Sequence, residues 1–356
     1  MAALAAPAMA ELRRDNASGG SVTLYGHLNP AWQSVDDGVA SYDTLVDNGH
    51  SPSRLGLWVR QPLGGGTFGF NLETALGVRQ SFAVSQGTKA DALNWQRTSI
   101  RKVDFSWSSE RFGTFCLGQG SMSHDGAAER DLSGTSLVGY NSIGSAAGAF
   151  RFRDAAGALT PRTIAAAGPS FDGGRRGRIR YDTPGFQGFK LSVSHGEEIL
   201  AQNSDLTSTS VALFYDREPG DWTLSGALAY ASVDSRLTGD LHDRMGSFSA
   251  LHASGWNVTV AAGDRQESGT YAYGKLGYKA DWFAAGTTAL SVDYCDGRDM
   301  TAGPGSDSAA LGVQLVQNFD EPGIEAYLGW RDYSLSETGT TYRDASSVLI
   351  GARWKF

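Results

Sequence analysis

The sequence predicts an all-β chain folded as a transmembrane antiparallel β-barrel of about sixteen strands. Three observations predict it: an apolar/polar alternation of period two that recurs along the chain, connections that alternate between long and short, and aromatic residues gathered beside the short ones. In the last ten residues, Val348, Ile350, Ala352, Trp354 and Phe356 share an apolar face, while Leu349, Gly351, Arg353 and Lys355 share a mixed, more polar one. That period places one face of a strand against an apolar medium and leaves the other to water. Alone, this segment would equally suit the edge strand of a soluble domain. Its recurrence upstream decides for the barrel.

Composition narrows the classes. The 356 residues are 41% apolar and 19% charged, which excludes a disordered chain. A net charge of −8 argues against nucleic acid as a partner. Mean hydropathy is −0.27 and no run of about 20 apolar residues occurs, so no membrane helix is predicted. Barrel strands are only about 9–11 residues long and half polar, so this does not exclude a barrel. Residues 1–10 read as the tail of an export signal, with Ala8-Met9-Ala10 as a small-x-small cleavage site, and residues 11–356 as one barrel domain. Cys116 and Cys295 are far apart and read as unpaired wall residues, with a disulfide as the alternative.

Taken in order, Ser21–Leu28 alternates with Val22, Leu24 and Leu28 on one face and Thr23, Tyr25 and His27 on the other. The stretch from Asp36 to Pro52 reads as polar and turn-rich. Residues 54–60 then set Leu55, Leu57 and Val59 against Arg54 and Arg60, and Pro62-Leu63-Gly64-Gly65-Gly66 is a tight turn. Thr67–Val78 aligns Phe68, Phe70, Leu72 and Leu76 opposite Asn71 and Glu73. Strands 100–108 and 113–120 flank a short turn, a long interruption follows, and hairpins continue from Arg176 to the C-terminus. Trp222, Trp256, Trp282, Phe283, Trp354 and Phe356 lie beside short turns or the terminus, where an interfacial aromatic girdle belongs. A β-propeller or β-helix would show a blade or coil repeat, and none is visible.

Several short segments, in this order and spacing, resemble the Gram-negative trimeric porins of the proteobacterial general-porin family. They are Val22-Thr23-Leu24-Tyr25-Gly26, Ser53-Arg54-Leu55-Gly56-Leu57, Phe115-Cys116-Leu117-Gly118-Gln119-Gly120, Arg178-Ile179-Arg180-Tyr181-Asp182-Thr183-Pro184 and the terminal Phe356. The resemblance spans nearly all of the chain from residue 11. It implies a sixteen-stranded barrel with a long, inward-folded constriction loop, assembled as a homotrimer in the outer membrane among lipid and lipopolysaccharide. It also implies that Phe356 is the outer-membrane assembly signal and that small hydrophilic solutes and ions pass without a cofactor. The stretch from Met122 to about Gly174 is long for that loop, which leaves open which part constricts the lumen.

A water-filled pore selects by size and by the charge at its narrowest point. Arg176, Arg178 and Arg180 alternate with Ile179 and Tyr181, and an arginine facing lipid costs about 2–4 kcal/mol near the midplane. The arginines are therefore expected inside, with Arg54 and Arg60 by the same parity. Val103, Phe105 and Trp107 face lipid, which places Lys102 and Asp104 inside and turns Arg101 outward, to a loop edge or a subunit interface. Arg54, Arg60, Lys102, Arg176, Arg178 and Arg180 thus form the expected basic wall, facing an acidic loop of Asp125, Glu129 and Asp131. Such a transverse field orders water and orients dipolar solutes.

Two other classes were weighed. An enzyme would need a triad, but Ser123-His124-Asp125 lacks a nucleophile elbow and adjacent residues rarely have triad geometry. No catalytic residue and no resident metal are predicted. Ca²⁺ in the acidic loops around Asp36, Asp37, Asp43 and Asp47 is a weak alternative to simple solvation, because the spacing is not diagnostic. The basic run 175–180 keeps an anion-preferring, substrate-selective channel open as the alternative to general diffusion. An adhesin would not conduct.

Overall fold

A computed structural model of the chain describes residues 12–237, 239–266, 268–301 and 305–356. The expected export-signal tail, residues 1–10, lies outside the described residues. The strands in chain order are β1 (Leu12–Asp15), β2 (Ser21–Leu28), β3 (Pro30–Asp36), β4 (Ser41–Asp47), β5 (Arg54–Leu63), β6 (Gly66–Ala75), β7 (Ile100–Ser109) and β8 (Gly113–Ser121). A small hairpin, β9 (Arg151–Arg153) and β10 (Leu159–Thr163), lies within the long loop. Next come β11 (Arg175–Asp182), β12 (Phe189–Glu197), β13 (Thr207–Arg217), β14 (Trp222–Asp234), β15 (Leu241–His252) and β16 (Trp256–Arg265). The chain ends with β17 (Gly269–Phe283), β18 (Gly286–Arg298), β19 (Asp307–Phe319), β20 (Ile324–Glu337), β21 (Thr340–Thr341) and β22 (Ala345–Lys355).

Each wall strand pairs antiparallel with its neighbours, and the sheet closes where β22 meets β3 from Ser346↔Asp36 to Gly351↔Ala31. β2 and β3 form one bent stave, because β2 pairs with β5 while β3 pairs with β4. β4 and β5 form the next stave. Counted this way the barrel has sixteen staves, and closure removes every sheet edge. β1 prolongs the last stave, pairing Leu12–Asp15 with β2 where β22 runs out. The stretch from Asp36 to Pro52 is thus no plain loop: it contains β4. Its polar Ser41, Asp43 and Thr44 hide a strand whose apolar residues are Leu45 and Val46.

Seven connections are short turns, from 64–65 to 320–323, and the connections at the other end include 76–99 and 122–174. Beside the turns the aromatics face outward and pack in pairs. Trp256 and Tyr278 ring centroids are 5.0 Å apart, Trp222 and His252 4.7 Å, and Trp354 and Phe356 5.4 Å. The terminal Phe356 exchanges backbone hydrogen bonds of 2.9 and 3.0 Å with Gly26. A Cβ at Gly26 would lie 2.9 Å from the Phe356 ring, so only glycine lets that ring lie against the wall. Outward apolar side chains such as Ile179, 67% exposed, and Leu228, 68% exposed, form the face that meets lipid. The buried apolar core lies inside the barrel instead, between the wall and the long loop.

Candidate functional site

The loop 122–174 lies in the lumen because its backbone is bonded to inward hydroxyls of the wall. Ser123 N–H donates to Ser194 Oγ at 2.8 Å, Arg130 N–H to Ser247 Oγ at 2.9 Å and Leu132 N–H to Ser249 Oγ at 3.0 Å. Thr135 Oγ1 and Ser291 Oγ are 2.6 Å apart. At the centre of this line Lys275 Nζ donates to Asp131 Oδ2 at 2.7 Å and to the Gly139 carbonyl at 2.6 Å, with both side chains out of solvent. Burial opposes ionisation of Asp131, but the Lys275 ammonium and the Ser133 hydrogen bonds outweigh it and hold the carboxyl below its usual range. Asp131 therefore faces the wall as an anchor, and not the water path where the sequence reading placed it.

Between the loop, the segment 76–99 and strands β5, β7 and β11 lies a cavity of about 850 Å³. Arg54, Arg101, Arg175 and Arg176 line one side, and Asp125, Glu129 and Asp172 line the loop side. Arg101 Nε donates to Glu73 Oε1 at 2.6 Å, and Arg54 Nη1 lies 3.8 Å from the same oxygen. Arg175 Nη2 is 3.9 Å from Asp125 Oδ2, and Arg176 Nη1 is 3.2 Å from Glu198 Oε2. On β22, Arg353 Nε and Lys355 Nζ share Glu325 at 2.5 and 3.2 Å. On the loop side of the cavity Asp172 accepts from Gly126 and Ala128 N–H, both at 2.8 Å. Desolvation, with Asp125 next to it, pushes Asp172 up to about 7 against those hydrogen bonds. Desolvation, with Asp172 and Asp125 nearby, raises Glu129 well above the usual carboxyl range.

The predicted site residues separate into groups. Arg54, Arg176, Asp125 and Glu129 come together at the cavity. Lys102 is the register partner of Glu73. Arg60 lies toward the turn end of β5, exposed, with its guanidinium 4.6 Å from the Trp58 ring, and is not among the cavity's lining residues. Arg178 points inward but is only 4% exposed, bound in a fork to Asp104 by two 2.8 Å hydrogen bonds. Arg180 is bound to Asp182 at 2.9 Å and to the Met122 carbonyl at 2.9 Å. Neither is among the lining residues of the cavity.

Arg101 corrects the parity argument. The register slips between Glu73↔Lys102 and Thr74↔Ile100, a bulge that turns Arg101 to the inside. Arg97 donates from Nε to the Leu200 carbonyl at 2.5 Å. Asp172 and Glu198 were missed, because loop residues carry no parity to read; Arg175, the first residue of β11, was read only as part of the basic run 175–180. Ser123 Oγ lies 2.7 Å from Ser210 Oγ, bonding the wall and not forming a triad with His124. Cys116 and Cys295 are both free. Asp37 accepts from Arg153 and Asp47 from Ser53, and among the described residues no three His, Cys, Asp or Glu are grouped to hold a metal ion.

Glycines make room for Arg178. A Cβ at Gly120 would lie 2.8 Å from Arg178 Nη2, and one at Gly196 would lie 2.5 Å from Arg178 Cβ. Gly120→Val is expected to push the guanidinium off Asp104 and to destabilise the barrel by about 1–3 kcal/mol, as overpacking does. A lowered heat-unfolding temperature on a gel-shift assay checks it.

A closed sixteen-stave barrel with an aromatic girdle, an apolar outer face and a charged aqueous cavity defines a transmembrane channel protein. The chain belongs to the Gram-negative porin family, whose model matches residues 1–355. It is an outer-membrane diffusion channel and not an enzyme. None of the curated proteins matches by sequence. Among solved structures it is similar to the anion-selective porin from Comamonas acidovorans, with a TM-score of 0.62 at 18% identity, covering 95% of this chain and 100% of that one. It is similar also to OmpT of Vibrio cholerae as expressed in the outer membrane (TM-score 0.60, 11% identity, 97% and 100% covered). A mutant of the Rh. blastica porin gives a TM-score of 0.56 at 16% identity, with 94% and 100% covered.

Proposed function

We propose that this porin is a homotrimeric channel that passes small hydrophilic solutes passively and prefers anions. The observation that carries the preference is the sharing of one carboxylate on the wall of the cavity: Arg54 and Arg101 share Glu73. One carboxylate between two guanidiniums leaves this side of the lumen positive. The opposing loop carboxyls, Glu129 and Asp172, are raised toward neutrality and offset less of that charge than their number suggests. Solutes carrying carboxylate or phosphate gain from such a field, and apolar ones gain nothing. The similar fold of the anion-selective porin from Comamonas acidovorans, and of the trimer form of Vibrio cholerae OmpT, supports the same reading. The outer rim meets lipopolysaccharide, and Phe356, zipped to Gly26, serves as the assembly signal.

The test is the reversal potential of single channels under a salt gradient. Its sign is expected to report anions as the more permeant species, and cation preference at pH 6 would overturn the reading. The preference also titrates. A carboxyl with a raised pKa is neutral below that value and charged above it, so Asp172 gains its charge as pH rises through about 7. Anion preference is expected to be greater at pH 5 than at pH 8, with Asp172→Asn flattening the dependence.

A further inference from the structure

The outward face of β14–β16 holds a groove of about 840 Å³, lined by Leu228, Gly246, Phe248, Val260 and Ala262. Its floor is a row of small side chains. Gly246 is the register partner of Ala262, and Ala262 of Ala272 on β17, so three neighbouring strands present little more than backbone at one height. One row nearer the turns, Val260 pairs with Gly274, where an added Cβ would meet nothing within 4 Å. Leu228 bounds the groove on β14, and Phe248 with Val260 bounds it toward the turns. On β12 and β13 the same outer face is filled: Leu191 lies opposite Leu213 and Val193 opposite Val211.

One row nearer the loops, the same strands carry charge. Arg244 pairs in register with Asp264, Asp264 with Thr270, and Thr270 with Arg298 of β18. The row has a guanidinium at each end, three strand spacings or about 14 Å apart. Both are held loosely. Arg244 Nη1 is 3.3 Å from Asp264 and Arg298 Nε is 3.5 Å from Asp296, with the arginine side chains 66% and 69% exposed. Exposed pairs of this kind add little to stability, so their members are free to exchange partners. An arginine on lipid-facing parity costs little only near the interface, which sets this row at the level of the outer head groups.

We infer that this face seats one lipopolysaccharide molecule by its lipid A, a glucosamine disaccharide with a phosphate at each end and several acyl chains. The two phosphates take Arg244 and Arg298 in charge-assisted bonds. Asp264, Thr270 and Asp296 accept from the sugar hydroxyls and amide N–H groups between them. One acyl chain lies in the groove over Gly246 and Ala262. Lipid tails are as apolar as leucine, so the chain gains close packing and no transfer energy. The head group therefore makes the selection. This seat deepens the reading that the outer rim meets lipopolysaccharide and rests on it.

The test uses the intact channel in detergent, with diphosphoryl lipid A, monophosphoryl lipid A and phosphatidylglycerol as probes, and reads bound lipid by native mass spectrometry. Diphosphoryl lipid A is expected to bind about fivefold more tightly than the monophosphoryl form, and Arg244→Gln with Arg298→Gln to lose about 25-fold, at about fivefold for each arginine near an anionic surface. Ala262→Leu fills the floor and is expected to weaken both lipid A forms alike. The heat-shift and the reversal potential should stay those of the parent in all variants. Equal binding of the two lipid A forms, or of phosphatidylglycerol, by the parent would overturn the seat without any variant. Diphosphoryl lipid A held equally by the parent and the double variant would also overturn it, while leaving contact with lipopolysaccharide elsewhere on the rim intact. A parent channel that holds no lipid A would overturn both.

Discussion

Lys275→Met is expected to be the most damaging single substitution inside the barrel. It leaves Asp131 buried against the wall without its cation, and breaking a buried pair from one side costs about 3–5 kcal/mol. The ammonium also donates to Ser133 at 3.2 Å and Thr135 at 3.1 Å, so with Asp131 and Gly139 four loop positions lose their tie at once. The strands stay closed through their own ladders, so the expected result is a folded barrel with a loosened loop. It would show current noise, faster proteolysis within 122–174 and a lower unfolding temperature. Asp131→Leu with Lys275→Met should recover part of the loss, since replacing both ions by apolar groups removes the unpaired charge. A double variant as noisy as Lys275→Met would mean that the ammonium's bonds to Gly139, Ser133 and Thr135, and not the ion pair, hold the loop. The sign of the pH effect is fixed too. Asp131 is held below its usual range, so the anchor is fully present above the unfolded carboxyl value and is lost only as pH falls through the lower, folded one. The loop is therefore expected to stay docked at mildly acidic pH, while the cavity carboxyls take up protons.

The barrel was legible because lipid imposes the same two-residue rule on every strand. Val348, Ile350, Ala352 and Trp354 in β22, with Phe356 just beyond it, and Ile179 with Tyr181 in β11, alternate without exception. Parity also sent Arg54, Arg176, Arg178 and Arg180 inward. Parity says which face a side chain takes, however, and not what it meets there. Asp104 binds Arg178 from two strands away, which leaves no trace in local spacing, while Arg180 is bound by Asp182, two residues on along its own strand. Arg101 was misread because a bulge shifts the register by one residue, which reverses a side chain's face. The cavity's acids belong to a loop whose course is set by tertiary contacts. One signal was available: inward serines at two-residue spacing, Ser247 with Ser249 on β15, are more than a water-filled wall requires. They mark where a backbone is bonded to the wall. A lysine on the same inward face, Lys275, marks where that backbone must bring a carboxylate.

The largest functional effect is expected from Arg54→Ala combined with Arg101→Ala. Together with Glu73 these two side chains carry a net charge of +1, and without them the site carries −1. A unit charge about 5 Å from a permeating ion contributes about 0.8 kcal/mol even at the dielectric constant of water. Screening at an ionic strength of about 0.1 M leaves about 0.5 kcal/mol over that distance. Each charge is thus worth about twofold in the occupancy of either ion, with opposite sign for anions and cations, and losing two should move the anion-to-cation permeability ratio by roughly thirtyfold. Reversal potentials before and after the double substitution measure it. Arg178 provides the contrast on the same wall. Its guanidinium is forked onto Asp104 and buried beneath the lumen surface, so its field at the water path is largely cancelled. Arg178→Met is therefore expected to cost stability, about 3–5 kcal/mol through the unpaired Asp104, and to move selectivity by less than the Arg54/Arg101 pair does. If Arg178→Met shifts the reversal potential more than Arg54→Ala with Arg101→Ala, ions pass along β11 and β8 instead, and the cavity beside Glu73 is a side pocket. Position alone cannot distinguish the two arginine groups, because both point inward from the same part of the wall, β5 to β11. What separates them is how completely each is neutralised by its own partner, and that is a property a channel reads directly.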